Sequence, residues 1–403
     1  MIEEPAGERR ALAGAFLDLE EERREVEVQA VEPDEIQGFG RSDEDRNMSI
    51  RDAFAIGGAF PFVLLTMLNS FDEFESAAMG TLAPNIRDSL GIGDGTMVLI
   101  GSASSAFLIL GAIPMGYLAD RLRRAPIIAW SSIIFSVMVA ASGAAVNAFM
   151  LLMTRLGAGV AKANTLPVHG SYMADRYPIA TRGRMSALNG LIGRAVATCS
   201  PLLVGAIAAI VGGDDGWRWS FFLLSIPVGV VAFVAFRLPE PPRGQFEQQS
   251  ITGTVDEDLD PAPISMEAAF ARIKKIKTMM AAIAAFSVIG FGLFTMPIVA
   301  NLWLEDHFEL GTFGRGAVGT TSGVAVLASL PFIGRWYDRT YQADPRRAAR
   351  LSCWVLLPTA VIVPIQYFMP NPVAFAIVGM IPAVLTTAAF SMVGPLLALV
   401  IPY

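Results

Sequence analysis

Two cysteines, two histidines and only 17% charged residues in a chain of 403 close off several kinds of chemistry. Cys199 and Cys353 both fall in apolar stretches, so neither a disulfide framework nor a thiolate metal site is implied. His169 and His307 are the only imidazoles, and no catalytic triad or metal-ligating cluster stands out. An enzyme is therefore not expected, nor is a cofactor. There is no phosphate loop of Gly-x4-Gly-Lys-Ser/Thr type, so any energy source has to be a gradient or lie in a separate part. No basic stripe suggests a nucleic-acid partner. The N-terminus begins with acids and lacks an apolar core segment, which excludes a secretory signal peptide. The first apolar segment then acts as its own insertion signal.

What the chain has in abundance is apolar length. Apolar residues make up 53% and the mean hydropathy is +0.51, whereas soluble domains are about a quarter charged. An all-α polytopic membrane protein follows. At about 20 apolar residues per crossing, spans are expected near 53–83, 94–119, 126–146, 149–174, 185–211, 217–237, 279–303, 316–334, 350–369 and 373–400. Residues 1–47 hold 15 acids and 6 bases, leaving 22 acids and 24 bases elsewhere, so the acidity belongs to the tail. Alternate loops divide the arginines and lysines sharply. One set carries Arg121, Arg123, Arg124, Arg176, Arg182 and Arg184, the bases from Arg237 to Lys277, and those from Arg335 to Arg350; the other carries only Arg87, Arg218 and Arg315. The rule that basic loops stay inside makes both ends cytoplasmic and the location the inner cell membrane.

Four regions are expected: an acidic cytoplasmic tail, 1–47; a six-span bundle, 48–237; a cytoplasmic linker, 238–277; and a second bundle, 278–403. Within the linker, "SMEAAFARIKKIKTMM" puts Met266, Phe270 and Ile273 on one helical face and Lys274 and Lys277 toward another. That pattern reads as an interfacial helix lying on the bilayer.

An internal echo links the two bundles. "GYLADRLRR" begins at Gly116, "GRWYDRT" begins at Gly334, and each follows the second span of its half with Gly, three residues, Asp, Arg. Such a pair argues for a duplicated unit. On these residues the chain resembles the major facilitator superfamily: Gly116, Leu118, Asp120 and Arg121 look like its motif A, and Gly334, Asp338 and Arg339 like the second copy. Arg155-Leu-Gly-Ala-Gly resembles the start of the family's span four, and "DRYPIATRGR" from Asp175 to Arg184 the loop after it. The resemblance covers residues 53–402. It implies two helix bundles around a central cavity lined by spans one, four, seven and ten, transport by alternating access, and a conformational latch at the two motif copies. Arg123 departs from the family's glycine, and two of the family's twelve spans are absent, leaving six plus four. A further segment or domain past Tyr403 is therefore expected.

Charges inside the spans carry the functional reading. Asp72, Glu73, Glu75, Arg155, Lys162 and Arg194 would together cost on the order of 15–20 kcal/mol if all faced lipid. They have to meet one another, water or a ligand. Arg155, Lys162 and His169 lie seven apart, so each drifts only about 20° from the last and the three form one stripe on span four, with Thr165 and Tyr172 beside it. On span one Asp72 and Glu75 share a face, and Glu73 points about 100° from Asp72. Counting from Ala53 and from Phe149 at about 1.5 Å per residue places Asp72 and Arg155 at similar depth, and the packing that the family resemblance implies would make them cavity neighbours. Arg194 adds a cation from span five. Spans seven to ten offer only neutral polar groups such as Thr295, Asn301, Thr320 and Gln366.

The expected site therefore joins Arg155, Lys162, Arg194, His169, Thr165 and Tyr172 as contacts for a small amphipathic anion with a carboxylate, phosphate or sulfate head. Asp72 and Glu75 are the expected carriers of a coupling proton or other ion. A proton-driven multidrug exporter, and a non-transporting membrane module or sensor, are the competing readings.

Overall fold

The computed structural model describes residues 48–213, 215–246, 248, 271, 274, 275, 277–343 and 345–391. The acidic tail, nearly all of the expected interfacial helix and the last part of span ten lie outside these residues. The chain is helical throughout its described length: α1 (Ile50–Gly57), α2 (Ala59–Thr81), α3 (Ala83–Leu90), α4 (Asp94–Arg121), α5 (Arg124–Gly143), α6 (Ala148–Lys162), a π-helical turn (Thr165–His169), α7 (Gly170–Arg176), α8 (Ile179–Val211), α9 (Gly216–Val234), α10 (Lys277–Phe308), α11 (Thr312–Ala343), α12 (Pro345–Gln366) and α13 (Pro372–Ser391). In hydrocarbon a backbone has to satisfy its own amides and carbonyls, and a helix does so within one segment. Serines keep to the same rule: Ser70, Ser102 and Ser132 each return the hydroxyl proton to the carbonyl four residues back.

Among the described residues six helices are long and apolar enough to cross a membrane singly: α4, α5, α8, α9, α11 and α13. A seventh crossing arises if α1 and α2 count as one span. Spans four and nine of the ten expected fall short of that measure for reasons visible in the chain. Span four is broken, α6 having only 15 residues before the π turn, and the apolar part of span nine runs only from Arg350 to Gln366.

Span one is also corrected at its start. A 103° bend separates α1 from α2, and Gly58 makes it with φ 77°, a conformation that side chains disfavour. Two residues of the "DRYPIATRGR" loop hold the bend: Arg176 Nε donates to Gly57 O at 2.7 Å and the Tyr177 hydroxyl donates to Gly58 O at 2.8 Å. Burial pushes the Tyr177 phenol up to about 12, which keeps it a donor. The transmembrane run therefore begins at Ala59, six residues later than the apolar pattern suggests.

Beside that bend, Arg124 fastens the start of the linker. Its side chain reaches Asp175, Glu240 Oε1 at 3.1 Å and Pro241 O at 3.0 Å. Glu240 in turn accepts from the Ala125 amide at 2.8 Å, a carboxylate on the N-terminus of α5 where the helix dipole favours it.

The first bundle (α2–α9) and the second (α10–α13) touch along α8 and α11 and along α4 and α10. Small residues let the backbones approach: a side chain at Gly205 would meet Thr312 O, one at Gly316 would meet Pro201 O, and one at Gly323 would meet Thr198. Gly101 likewise admits Ile298. All these positions lie in the half of the helices nearer α3. There a core of Met97, Ile100, Phe221, Ile298 and Leu302 spans both bundles. The bundles are closed together at the α3 end.

Candidate functional site

Four charged side chains meet between α2 and the α6–π-turn segment. Glu75, 2% exposed, accepts from Arg155 through Oε1 and from Lys162 Nζ through Oε2, the latter at 2.7 Å. Arg155, 1% exposed, also reaches the Ser142 hydroxyl of α5 and lies over the Phe221 ring at 5.5 Å. Lys162 Nζ further donates to Asp72 O at 3.0 Å and Ser76 Oγ at 3.1 Å, with the Phe135 ring 5.0 Å away. The Thr165 hydroxyl donates to Asp72 Oδ2 at 3.0 Å. One carboxylate thus neutralises two cations, and a second stands at the rim. Glu75 and Arg155 are sealed, whereas Asp72 and Thr165 are half-buried and Ser76 is exposed, so the network opens on one edge.

Local sequence explains the arrangement. Glu75 follows Asp72 by three residues and shares its face. Arg155 and Lys162 are seven apart on an unbroken helical stretch. Past Lys162 the stretch breaks at Thr165–His169, where Pro167 lacks the amide a regular turn needs.

These details correct the sequence reading at several places. Arg155 pairs with Glu75 and not with Asp72, because the span starts at Ala59 and the residue level with Arg155 falls one turn further along α2. The predicted stripe ends at Thr165: the π turn winds fewer degrees per residue and shifts the phase of the helix after it. Tyr172 accordingly turns away from the charges, and its hydroxyl donates to Pro239 O in the linker. His169 is buried, with Nε2 lacking a hydrogen-bond partner among the described residues. Arg194 is exposed on α8, and no ion pair joins it to the network among the described residues.

Of the expected latch residues, Asp120 and Arg121 are exposed, with Arg121 over the Tyr117 ring at 4.3 Å. Arg243 of the linker donates to Asp120 O and Leu122 O. Gly116 lies beside Pro167, whose Cβ would be 3.7 Å from a methyl group at that position. Gly334 and Arg339 are exposed; the Asp338 side chain lies outside the described residues.

Sequence reasoning missed a second cluster, at the α3 end. Arg87 binds Asp94 Oδ1 at 2.9 Å within its own bundle, and Glu305 Oε2 and Asp306 Oδ1 at 3.0 Å across to α10. Arg315 of α11 holds Glu305 Oε1 at 3.1 Å and Asn85 of α3. Burial opposes the charge on Arg87, but hydrogen bonds to Asp88, Asp94 and Asp306 outweigh it and hold the guanidinium above its ordinary pKa. The signal was present: Arg87 and Arg315 are two of the three arginines on the base-poor side, and each stands beside the ends of spans.

The Major Facilitator Superfamily pattern matches residues 62–402. The chain belongs to that family, whose members are multi-pass membrane proteins that move small molecules and are transporters, not enzymes. Among curated relatives it is 28% identical over 169 residues to the multidrug export protein EmrB of Escherichia coli (strain K12), covering 41% of this chain and 31% of that one. It is 28% identical over 173 residues to the sialic acid transporter NanX of the same organism, 42% and 41% of the two chains. The ectoine/proline transporter ProP of Corynebacterium glutamicum is 25% identical over 289 residues, 66% of this chain and 56% of that one. The chain spans between 31% and 56% of the length of these relatives. Among solved structures, a bacterial homolog to the human lysosomal transporter Spinster, inward-facing and unoccupied, aligns with TM-score 0.65 at 20% identity, covering 83% of this chain and 74% of that one. The nucleoside transporter NupG aligns at 0.62 and 13% identity, covering 85% and 83%.

Proposed function

We propose that the chain carries an amphipathic organic anion across the inner membrane by alternating access, with a proton bound at Glu75 as the coupling ion. The observation that carries this reading is the sharing of Glu75 by Arg155 and Lys162. Protonating that carboxylate leaves two cations without their counter-charge in a desolvated site, a state costing about 3–5 kcal/mol. An anionic head group entering at the open edge, beside Asp72, Thr165 and Ser76, restores the balance. Proton and anion then favour each other's binding, which is what symport requires.

Arg194 supports the same reading from α8. It lies one helical turn from Thr198, on the face that packs against Gly323 of α11, and it is exposed where that packing ends. A cation there meets a ligand approaching between the bundles. The closed α3 end and the basic-loop orientation support an inward-facing conformation. EmrB, a multidrug exporter, favours the competing reading of proton-driven export of apolar drugs.

Ligand charge separates the two. In proteoliposomes with an imposed pH gradient, uptake of an aryl carboxylate should exceed that of its neutral methyl amide. Lys162→Met and Arg194→Gln should reduce the carboxylate flux at least tenfold and the amide flux little. Equal loss for both compounds would remove the anion assignment, and a Glu75→Gln variant that keeps its gradient dependence would remove the coupling role.

A further inference from the structure

A cavity of about 570 Å³ lies between α2, α8 and α9, within the size range of small-ligand sites. Its walls include Val63 and Met67 of α2, Ile192 and Val196 of α8, and Leu223 and Pro227 of α9. Val63, Met67 and Leu223 are 51%, 41% and 48% exposed; on membrane-spanning helices such a surface meets lipid.

The cavity turns its back on the charged network. Asp72 lies about 180° round α2 from Val63, and Arg194 about 160° round α8 from Val196. The face of α8 that packs on α11 is likewise the opposite one. A ligand held by Lys162 therefore does not reach this space.

Its shape is a slot along the helices. The lining runs on α8 from Ile192 to Ile207, a rise of about 22 Å, more than one leaflet of a hydrocarbon core about 30 Å thick. Three hydroxyls interrupt the apolar lining. Thr66 Oγ1 and Ser220 Oγ belong to residues 5% and 0% exposed, and neither has a hydrogen-bond partner among the described residues. Ser70, in the same wall, is satisfied by Thr66 O at 2.7 Å. Ser220 directly follows Arg218 and the exposed Trp219, residue types that settle at the boundary between hydrocarbon and head groups.

We propose that this slot binds one acyl chain of a bilayer glycerolipid, with the Ser220 side chain turning into the slot to donate to an ester oxygen and the chain running past Val196 toward Phe62. An ester at that depth supplies the missing acceptor, and the methylenes cover the apolar walls that a water-filled slot would leave wet.

The test is native mass spectrometry of the detergent-purified chain titrated with palmitoyl-oleoyl phosphatidylglycerol. One lipid should bind to the unaltered protein. Val196→Trp, which fills the slot, should weaken that binding more than tenfold, and Ser220→Ala, too small a change to disturb folding, about fivefold. Ile210→Trp, on the exposed part of α8 beyond the slot, should leave it unchanged. Unaltered lipid binding in both Val196→Trp and Ser220→Ala would overturn the proposal, as would hexadecane competing as well as the ester-bearing lipid. Binding is read without any flux measurement, so this outcome stands apart from that of the anion assignment.

Discussion

The two ion clusters differ in which bundles they join and in how far their carboxylates meet solvent. The network on Glu75 lies within the first bundle, is buried, and sets two cations on one carboxylate, with Asp72 at its rim. The cluster on Arg87 joins the two bundles, sets Asp88, Asp94, Glu305 and Asp306 against Arg87 and Arg315, and leaves most of its carboxylates half exposed. Buried charge is costly to uncompensate, so it suits a switch worked by one proton or one ligand. The pairs of Arg87 with Asp88, Asp94 and Asp306 have an exposed partner, and exposed pairs are each worth about 0–1 kcal/mol, so they suit contacts that break in every cycle. The first cluster should govern what is bound; the second should govern which end is open.

The comparison is sharpest at Glu75. Glu75→Gln leaves Arg155 and Lys162 with only Asp72 nearby, and should destabilise the protein by about 3–5 kcal/mol. Adding Lys162→Met removes one orphaned cation, so the double variant should recover part of that loss. A double-mutant cycle read by thermal unfolding in detergent checks this. Additive losses would mean that the two side chains act independently and that the shared-carboxylate account is wrong.

Thr165→Val probes the rim of the same network. It removes one hydrogen bond to a charged group, worth about 1.5–3 kcal/mol when buried, less here because Asp72 is half-buried. Its effect should fall mainly on ligand affinity, since the hydroxyl touches the edge where the network opens. A loss of stability as large as that of Glu75→Gln would contradict that placement.

How far the chain could be read without coordinates is set by the same residues. Helices and their order were legible from apolar length, and the pairing of span one with span four from the family resemblance together with the charges embedded in both. The partner of Arg155 was not, because Gly58 bends the chain where the hydropathy pattern continues, and a depth count begun at Ala53 starts too early. The loss of Tyr172 and His169 from the stripe has a similar cause: Pro167 marks a break, but its change of helical phase depends on how the turn is hydrogen-bonded. The cross-bundle cluster was hidden for another reason. Asn85, Arg87, Asp94, Glu305, Asp306 and Arg315 come from four helices or their edges, and nothing in their spacing shows that two bundles close there.

The smallest stability effect belongs to Arg87, and there ionic strength tells the clusters apart. Arg87→Ala should cost about 1 kcal/mol or less, yet among the described residues it removes the ionic contact between α3 and α10. With Cys199 and Cys353 removed, a reporter Ile298→Cys, 3% exposed in the native residue, should react with a water-soluble maleimide several-fold faster in the Arg87→Ala background. Raising salt from 0.1 M to 1 M shortens the screening length from about 10 Å to about 3 Å, and should speed the labelling in the presence of Arg87 while changing it little in Arg87→Ala. The stability deficit of Glu75→Gln should not move with salt, because its charges are shielded from the solution. If salt altered both measurements alike, burial would not be what separates the two clusters, and the division of labour between binding and gating would lose its physical basis.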